Sequence, residues 1–85
     1  MSRRNQEKQL ELIAFGIALK KIRNEKGYTQ DQLSVYSRID RSFISEIENG
    51  EKAPTLLTII SLARALQAKP SALIQNFEFE LDKLI

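Results

Sequence analysis

Apolar residues in this chain recur at spacings of three and four, the period of helices buried on one face, and no stretch alternates like a half-buried strand. Leu12, Phe15, Leu19 and Ile22 make the first stripe, with Lys20, Lys21 and Glu25 on the other side. Gly27 follows Arg23, Glu25 and Lys26, which predicts a left-handed cap with cations at the negative end of the helix dipole. Residues 1–8 are polar and lack the period, and they read as a loose arm ahead of the domain.

Four further helices follow from the same logic. Thr29 is an N-cap whose hydroxyl can accept from the amide of Asp31 or Gln32, and Leu33 and Tyr36 are expected to point inward from a short helix. The pattern breaks near Ser37 and Arg38 and restarts at Asp40, a second candidate N-cap. Phe43, Ile44 and Ile47 form the next apolar face, leaving Arg41, Ser42, Ser45, Glu46 and Asn49 elsewhere, and Gly50 ends that helix. Thr55 caps a fourth helix in which Leu56, Ile59, Ile60, Leu62, Ala63 and Leu66 cover more than one face, which predicts packing on two sides. Pro70 suits the first turn of a fifth helix carrying Leu73, Ile74, Phe77, Leu81 and Leu84. The expected fold class is all-α, a compact five-helix domain over residues 9–76 with a helical tail at residues 77–85.

Composition narrows the chemistry. An 85-residue chain that is 42% apolar supports one core. It has no cysteine and no histidine, which removes disulfides, thiolate chemistry, imidazole metal sites and the commonest general base. The central acids Asp31, Glu46, Glu48 and Glu51 come without a nucleophile–base pair or metal-ligand spacing, so neither an enzyme nor a metal, cofactor or small-molecule ligand is expected. Arg3 and Arg4 precede the apolar stretch from Leu12 to Leu19, but Lys20 and Lys21 close it with no cleavage site, and no stretch is long enough for a membrane span. A cytoplasmic protein is expected. The net charge of +2 says little by itself, yet after Lys69 the one basic residue, Lys83, faces Glu78, Glu80 and Asp82, so the basic excess lies ahead of the tail.

The capped pair of short helices between Thr29 and Asn49, joined by about three residues, has helix-turn-helix spacing. With Arg23, Gly27, Thr29, Gln30, Leu33, Ile44, Ser45, Ile47, Glu48, Asn49, Gly50, Pro54 and the stretch from Leu62 to Leu66 in order, the chain resembles the lambda repressor and Cro-like family, also called the XRE family. The resemblance implies a DNA-binding domain whose second motif helix lies in the major groove. It implies Arg41, Ser42 and Glu46 as base-contacting residues, with Arg41 forking onto guanine and Glu46 accepting from cytosine. Gln30 matches the glutamine that holds a phosphate at the start of the first motif helix, and Ser45 and Arg38 are further phosphate candidates. Arg23 and Glu48 match a buried structural ion pair of that family. Two positions depart from the pattern: Ser34 stands where the family often has alanine, and Arg38 where it often has glycine. An arginine with positive φ costs about 1 kcal/mol or more, so the turn is expected either to be remodelled or to adopt that strained geometry.

Such domains read few base pairs per recognition helix and gain specificity as two-fold dimers. The expected partners are double-stranded DNA and a second copy, engaged through helix four and the tail residues Phe77, Phe79, Leu81, Leu84 and Ile85. By size and by residues 40–45 the chain is similar to restriction-modification controller proteins, with phage repressors and antitoxins as competitors. RNA polymerase or a toxin would be a further partner under those readings. A protein-interaction module on the same fold is the alternative class.

Overall fold

The computed structural model describes residues 5–85, and every regular element among them is an α-helix. The order is α1 (Asn5–Glu25), α2 (Gln30–Ser37), α3 (Arg41–Glu48), α4 (Leu56–Ala65) and α5 (Pro70–Leu84). Helix α1 takes in Asn5 to Lys8, which the pattern assigned to the arm, while residues 1–4, including Arg3 and Arg4, lie outside the described residues. Apolar periodicity registers only the buried part of a helix, so a polar first turn leaves no mark on it.

Phe15, Leu19 and Ile22 of α1 meet Leu33, Ile44, Ile47, Leu62, Leu66 and Leu73 in one core. Helix α1 packs along α5 and against α3, α2 packs on α3 and α4, and α4 leans on α5. The Phe15 and Phe77 rings meet at 6.0 Å between centroids and seal the α1–α5 seam. Beside it the buried Glu80 carboxylate lies 3.8 Å from Lys21 Nζ and 3.5 Å from Lys83 Nζ. Among the described residues no helix is long and apolar enough to cross a membrane.

The α1–α3 crossing depends on Gly16. A Cβ there would stand 2.5 Å from the Ile47 carbonyl oxygen and 2.7 Å from that of Glu48, closer than van der Waals contact allows. Glycine inside a helix sacrifices stability relative to alanine, and here it lets the end of α3 rest directly on the α1 backbone.

Helix ends follow their caps. Gly27 and Gly50 adopt φ of 76° and 75°, and each closes its helix with paired backbone bonds: Tyr28 N to Arg23 O with Gly27 N to Asn24 O, and Glu51 N to Glu46 O with Gly50 N to Ile47 O. Gln67 ends α4 in the same way at φ 56°, without a glycine to announce it. Thr29 and Thr55 both cap, the latter accepting from Thr58 N at 3.1 Å.

Two expectations need correction. Asp40 makes no side-chain cap bond: its ψ of 136° differs from the 167° and 168° of the capping threonines, and that rotation turns the carboxylate from the α3 amides. Tyr36, in the last turn of α2, points outward at 55% exposure and meets the Tyr28 ring at 5.1 Å in a tilted contact. Helix α4 packs on two sides as expected, against α2 and α5, burying Leu62 and Ala63 with Leu66 at its C-cap, while Leu56 and Leu57 at its start stand 70% and 74% exposed.

Candidate nucleic-acid interface

Helices α2 and α3 form a helix-turn-helix whose outer surface gathers most of the candidate residues. Thr29 Oγ1 accepts from Gln32 N at 3.0 Å while Gln32 Oε1 accepts from Thr29 N at 2.9 Å, a capping box that fixes the first turn of α2. Gln30 and Asp31 sit in that turn. Their backbone positions are therefore set by the Thr29 and Gln32 side chains that flank them.

The turn itself keeps the left-handed geometry despite its arginine: Arg38 has φ 62° and ψ 26°, and its N–H donates to Ser34 O at 2.8 Å. Two hydroxyls support the strained residue. Ser34 Oγ donates to the Ile39 carbonyl, and Ser37 Oγ accepts from Ile39 N at 3.2 Å. The two departures from the family pattern are thus adjacent in space, with the serine tying down the turn that the arginine strains. The Arg38 side chain is exposed.

Beyond the turn, Gln30, Arg41, Ser42 and Ser45 line one shallow depression between the starts of α2 and α3. Arg41 and Ser42 are exposed, whereas Ser45 and Glu46 are half-buried. Arg41 Nε lies 3.2 Å from Asp31 Oδ1, with both side chains largely in solvent at 63% and 73% exposure. Asn49 Nδ2 approaches Ser45 Oγ at 3.5 Å, a long contact at the end of α3. Glu46 lies outside the depression; its backbone carbonyl is used by the helix cap.

Behind the depression lies a buried polar network. Arg23 Nε donates to Glu48 Oε2 at 2.6 Å and Arg23 Nη2 to Glu48 Oε1 at 2.9 Å, a bidentate pair, while Nη1 donates to the Tyr28 carbonyl at 2.7 Å. The hydrogen bonds from Arg23 to Glu48 raise the guanidinium pKa above its usual value against the opposing effect of burial, and the attraction of the carboxylate adds to the rise. Gln30 Nε2 donates to the same Glu48 oxygen at 3.1 Å. The Gln30 amide is thus oriented by the buried pair. No buried side-chain nitrogen or oxygen among the described residues lacks a partner.

Sequence reasoning assigned no role to Asp31 or Gly16. A glycine interrupting an otherwise unbroken helical run was the available signal for Gly16. Nothing in the spacing announced Asp31, because its partner lies across a turn. Among the described residues no group of three or more acidic side chains is arranged to hold a metal ion.

A family model described as helix-turn-helix matches residues 19–73, and the chain belongs to that family. Among its relatives are the uncharacterized HTH-type transcriptional regulator y4dJ of Sinorhizobium fredii, 37% identical over 54% of this chain and 60% of its own length, and the control protein C.MunI of a Mycoplasma species, 33% identical over 80% and 93%. The chain therefore matches less than two thirds of y4dJ. Two controller-protein structures are similar. The restriction-modification controller C.AhdI of Aeromonas hydrophila superposes with a TM-score of 0.71 at 37% identity, covering 73% of this chain and 94% of its own. The C.Esp1396I tetramer in complex with its natural operator superposes with a TM-score of 0.76 at 30% identity, covering 84% and 93%.

Proposed function

We propose that this protein is a sequence-specific DNA-binding regulator of transcription, acting as a homodimer on an inverted-repeat operator in the manner of a restriction-modification controller protein. The observation that carries the reading is the solvent-facing depression shared by Gln30, Arg41, Ser42 and Ser45, backed by the Arg23–Glu48–Gln30 network. Such a surface combines a forked donor, hydroxyls and an oriented amide on two rigid helix starts, which is what base edges flanked by phosphates require. The resemblance to C.Esp1396I, a protein solved on its operator, supports the same reading.

In this arrangement α3 enters the major groove. Arg41 reads guanine, Ser42 and Glu46 contact neighbouring base edges, and Gln30, Ser45 and Arg38 hold phosphates. Arg23 and Glu48 keep α3 seated on α1. Residues 77–85 and the start of α4 form the dimer contact around Leu56, Leu57, Phe79, Leu84 and Ile85, all of them exposed in the single chain. The protein acts in the cytoplasm on double-stranded DNA and carries out no catalysis.

Selection from a random duplex pool followed by binding of Arg41→Ala to a position-by-position operator series tests this. The pool is expected to yield a two-fold-symmetric site, and the variant to lose about 1 to 3 kcal/mol at one base position per half-site. Equal binding of all sequences by the wild type would overturn the proposal.

A further inference from the structure

We infer that Asp31 is a positioning residue for base recognition: its carboxylate pairs electrostatically with the Arg41 guanidinium on the Nε side and leaves the two terminal nitrogens as a fork for guanine. The inference rests on the proposed reading of Arg41 as a base-contacting residue, and it adds a residue that directs that contact.

The geometry assigns the role. A guanidinium has five N–H bonds in a fixed plane, and only the one on Nε points sideways along the stem. Asp31 Oδ1 forms an ion pair on that side, 3.2 Å from Nε, so Nη1 and Nη2 keep their four donors for another partner. An arginine tethered at Nε also has fewer rotamers to lose when it docks.

Both ends of the tether are fixed. Asp31 lies within the first turn of α2, inside the Thr29–Gln32 capping box, and Arg41 is the first residue of α3, whose entry is held by the Ile44 N to Asp40 O bond at 3.0 Å. The contact therefore spans the helix-turn-helix from one helix start to the other.

Stability does not account for this pair. With the side chains 63% and 73% exposed, water screens most of the attraction. A carboxylate next to Gln30, on the surface that meets a polyanion, opposes non-specific phosphate binding. Asp31 thus acts in the same direction twice, by orienting the base-reading side chain and by weakening attachment to DNA that offers no guanine in the right place.

The test uses the full chain as wild type, Asp31→Ala, Asp31→Asn, Arg41→Ala and the Asp31→Ala/Arg41→Ala double variant. Each is titrated by fluorescence anisotropy at fixed salt against the selected operator, duplexes substituted at each half-site position, and a random duplex. Thermal melts are expected to coincide for the wild type and the Asp31 variants. Asp31→Ala is expected to lower discrimination at the Arg41 base pair by about three- to fivefold while tightening binding to random DNA. Asp31→Asn, which keeps the shape of the side chain but removes its charge, is expected to lose discrimination at the same base pair. In the Arg41→Ala background, removing Asp31 is expected to leave discrimination unchanged. A loss in both Asp31 variants confined to that base pair would assign the hold to the charge and uphold the role. A uniform shift of all duplexes would overturn it, leaving Asp31 as a repelling charge. If Arg41→Ala itself relaxes no position, the functional reading of Arg41 fails; if it does and Asp31→Ala leaves the position sharp, the positioning role alone fails.

Discussion

Glu48 serves three donors with two oxygens, the Nε and Nη2 of Arg23 and the amide of Gln30, and it does so almost without water at 1% side-chain exposure. Replacing such a pair by apolar side chains of similar shape is often neutral, but removing one partner strands the other charge. Glu48→Ala is accordingly expected to cost about 3 to 5 kcal/mol, lowering the thermal midpoint by more than about 10 °C in a domain of this size, and circular dichroism would show it. An unchanged midpoint would mean that Arg23 finds compensation elsewhere. Because the pKa of Arg23 is raised above its usual value, the stabilisation it contributes is fully present below the unfolded-state value and is lost only as pH rises through the still higher folded-state value, far above neutrality. Arg38 makes a second case at this scale. Its left-handed backbone penalises any side chain, so Arg38→Gly is expected to raise stability by about 0.5 to 1 kcal/mol in urea unfolding. If Arg38 grips a phosphate, the same variant lowers the salt slope of DNA binding by about one. A destabilised Arg38→Gly protein would show that the hydroxyl ties of Ser34 and Ser37 already absorb the strain.

At the scale of elements, the α1–α3 contact is set by one missing methyl group. Gly16→Ala would gain about 1 kcal/mol in helix propensity but place Cβ against two backbone carbonyls, which cannot rotate away as a side chain would. The expected net effect is a loss of roughly 1 to 3 kcal/mol together with weaker operator binding, since α3 must lift from α1. A stabilised variant would show that the helices separate at little cost. The same contact marks where the sequence stopped being informative. The period of three and four placed all five helices, and Thr29, Thr55, Gly27, Gly50 and Pro70 announced ends that the structure has, because caps are local chemistry. Asp40 and Tyr36 misled because their orientation depends on how the chain enters or leaves a turn. Gln67 and the Asp31–Arg41 contact were invisible for a related reason: a left-handed glutamine and a bond across two helices are decided by packing that no local pattern encodes. Of the candidate site, the depression unites Gln30, Arg41, Ser42 and Ser45, which the resemblance had named separately.

Over the whole molecule, the exposed apolar side chains include Leu56 and Leu57 on α4 and Phe79, Leu84 and Ile85 on the tail, beside Ile13 and Ile17 on α1 and Val35 on α2. Burial of the α4 and tail residues in a dimer would place two recognition helices at a fixed separation, which a two-fold operator requires. Leu57→Glu is expected to shift the protein toward monomer in sedimentation at micromolar concentration and to weaken operator binding at least tenfold, with the melt of the single domain little changed. A monomeric wild type well above the concentration that saturates the operator would contradict this. The hold of α3 on the rest of the domain has a different consequence. Ile44, Ile47 and Glu48 anchor it, while Arg41, Ser42, Ser45 and Glu46 lie exposed or half-buried and belong to no part of the core. Substitutions at exposed positions away from such anchors usually change stability by no more than about 0.5 kcal/mol. Under the proposed base readout, the side chains that choose the target are therefore free to drift while the scaffold stays put, and a lineage can trade one target for another in single steps, each through a folded ancestor.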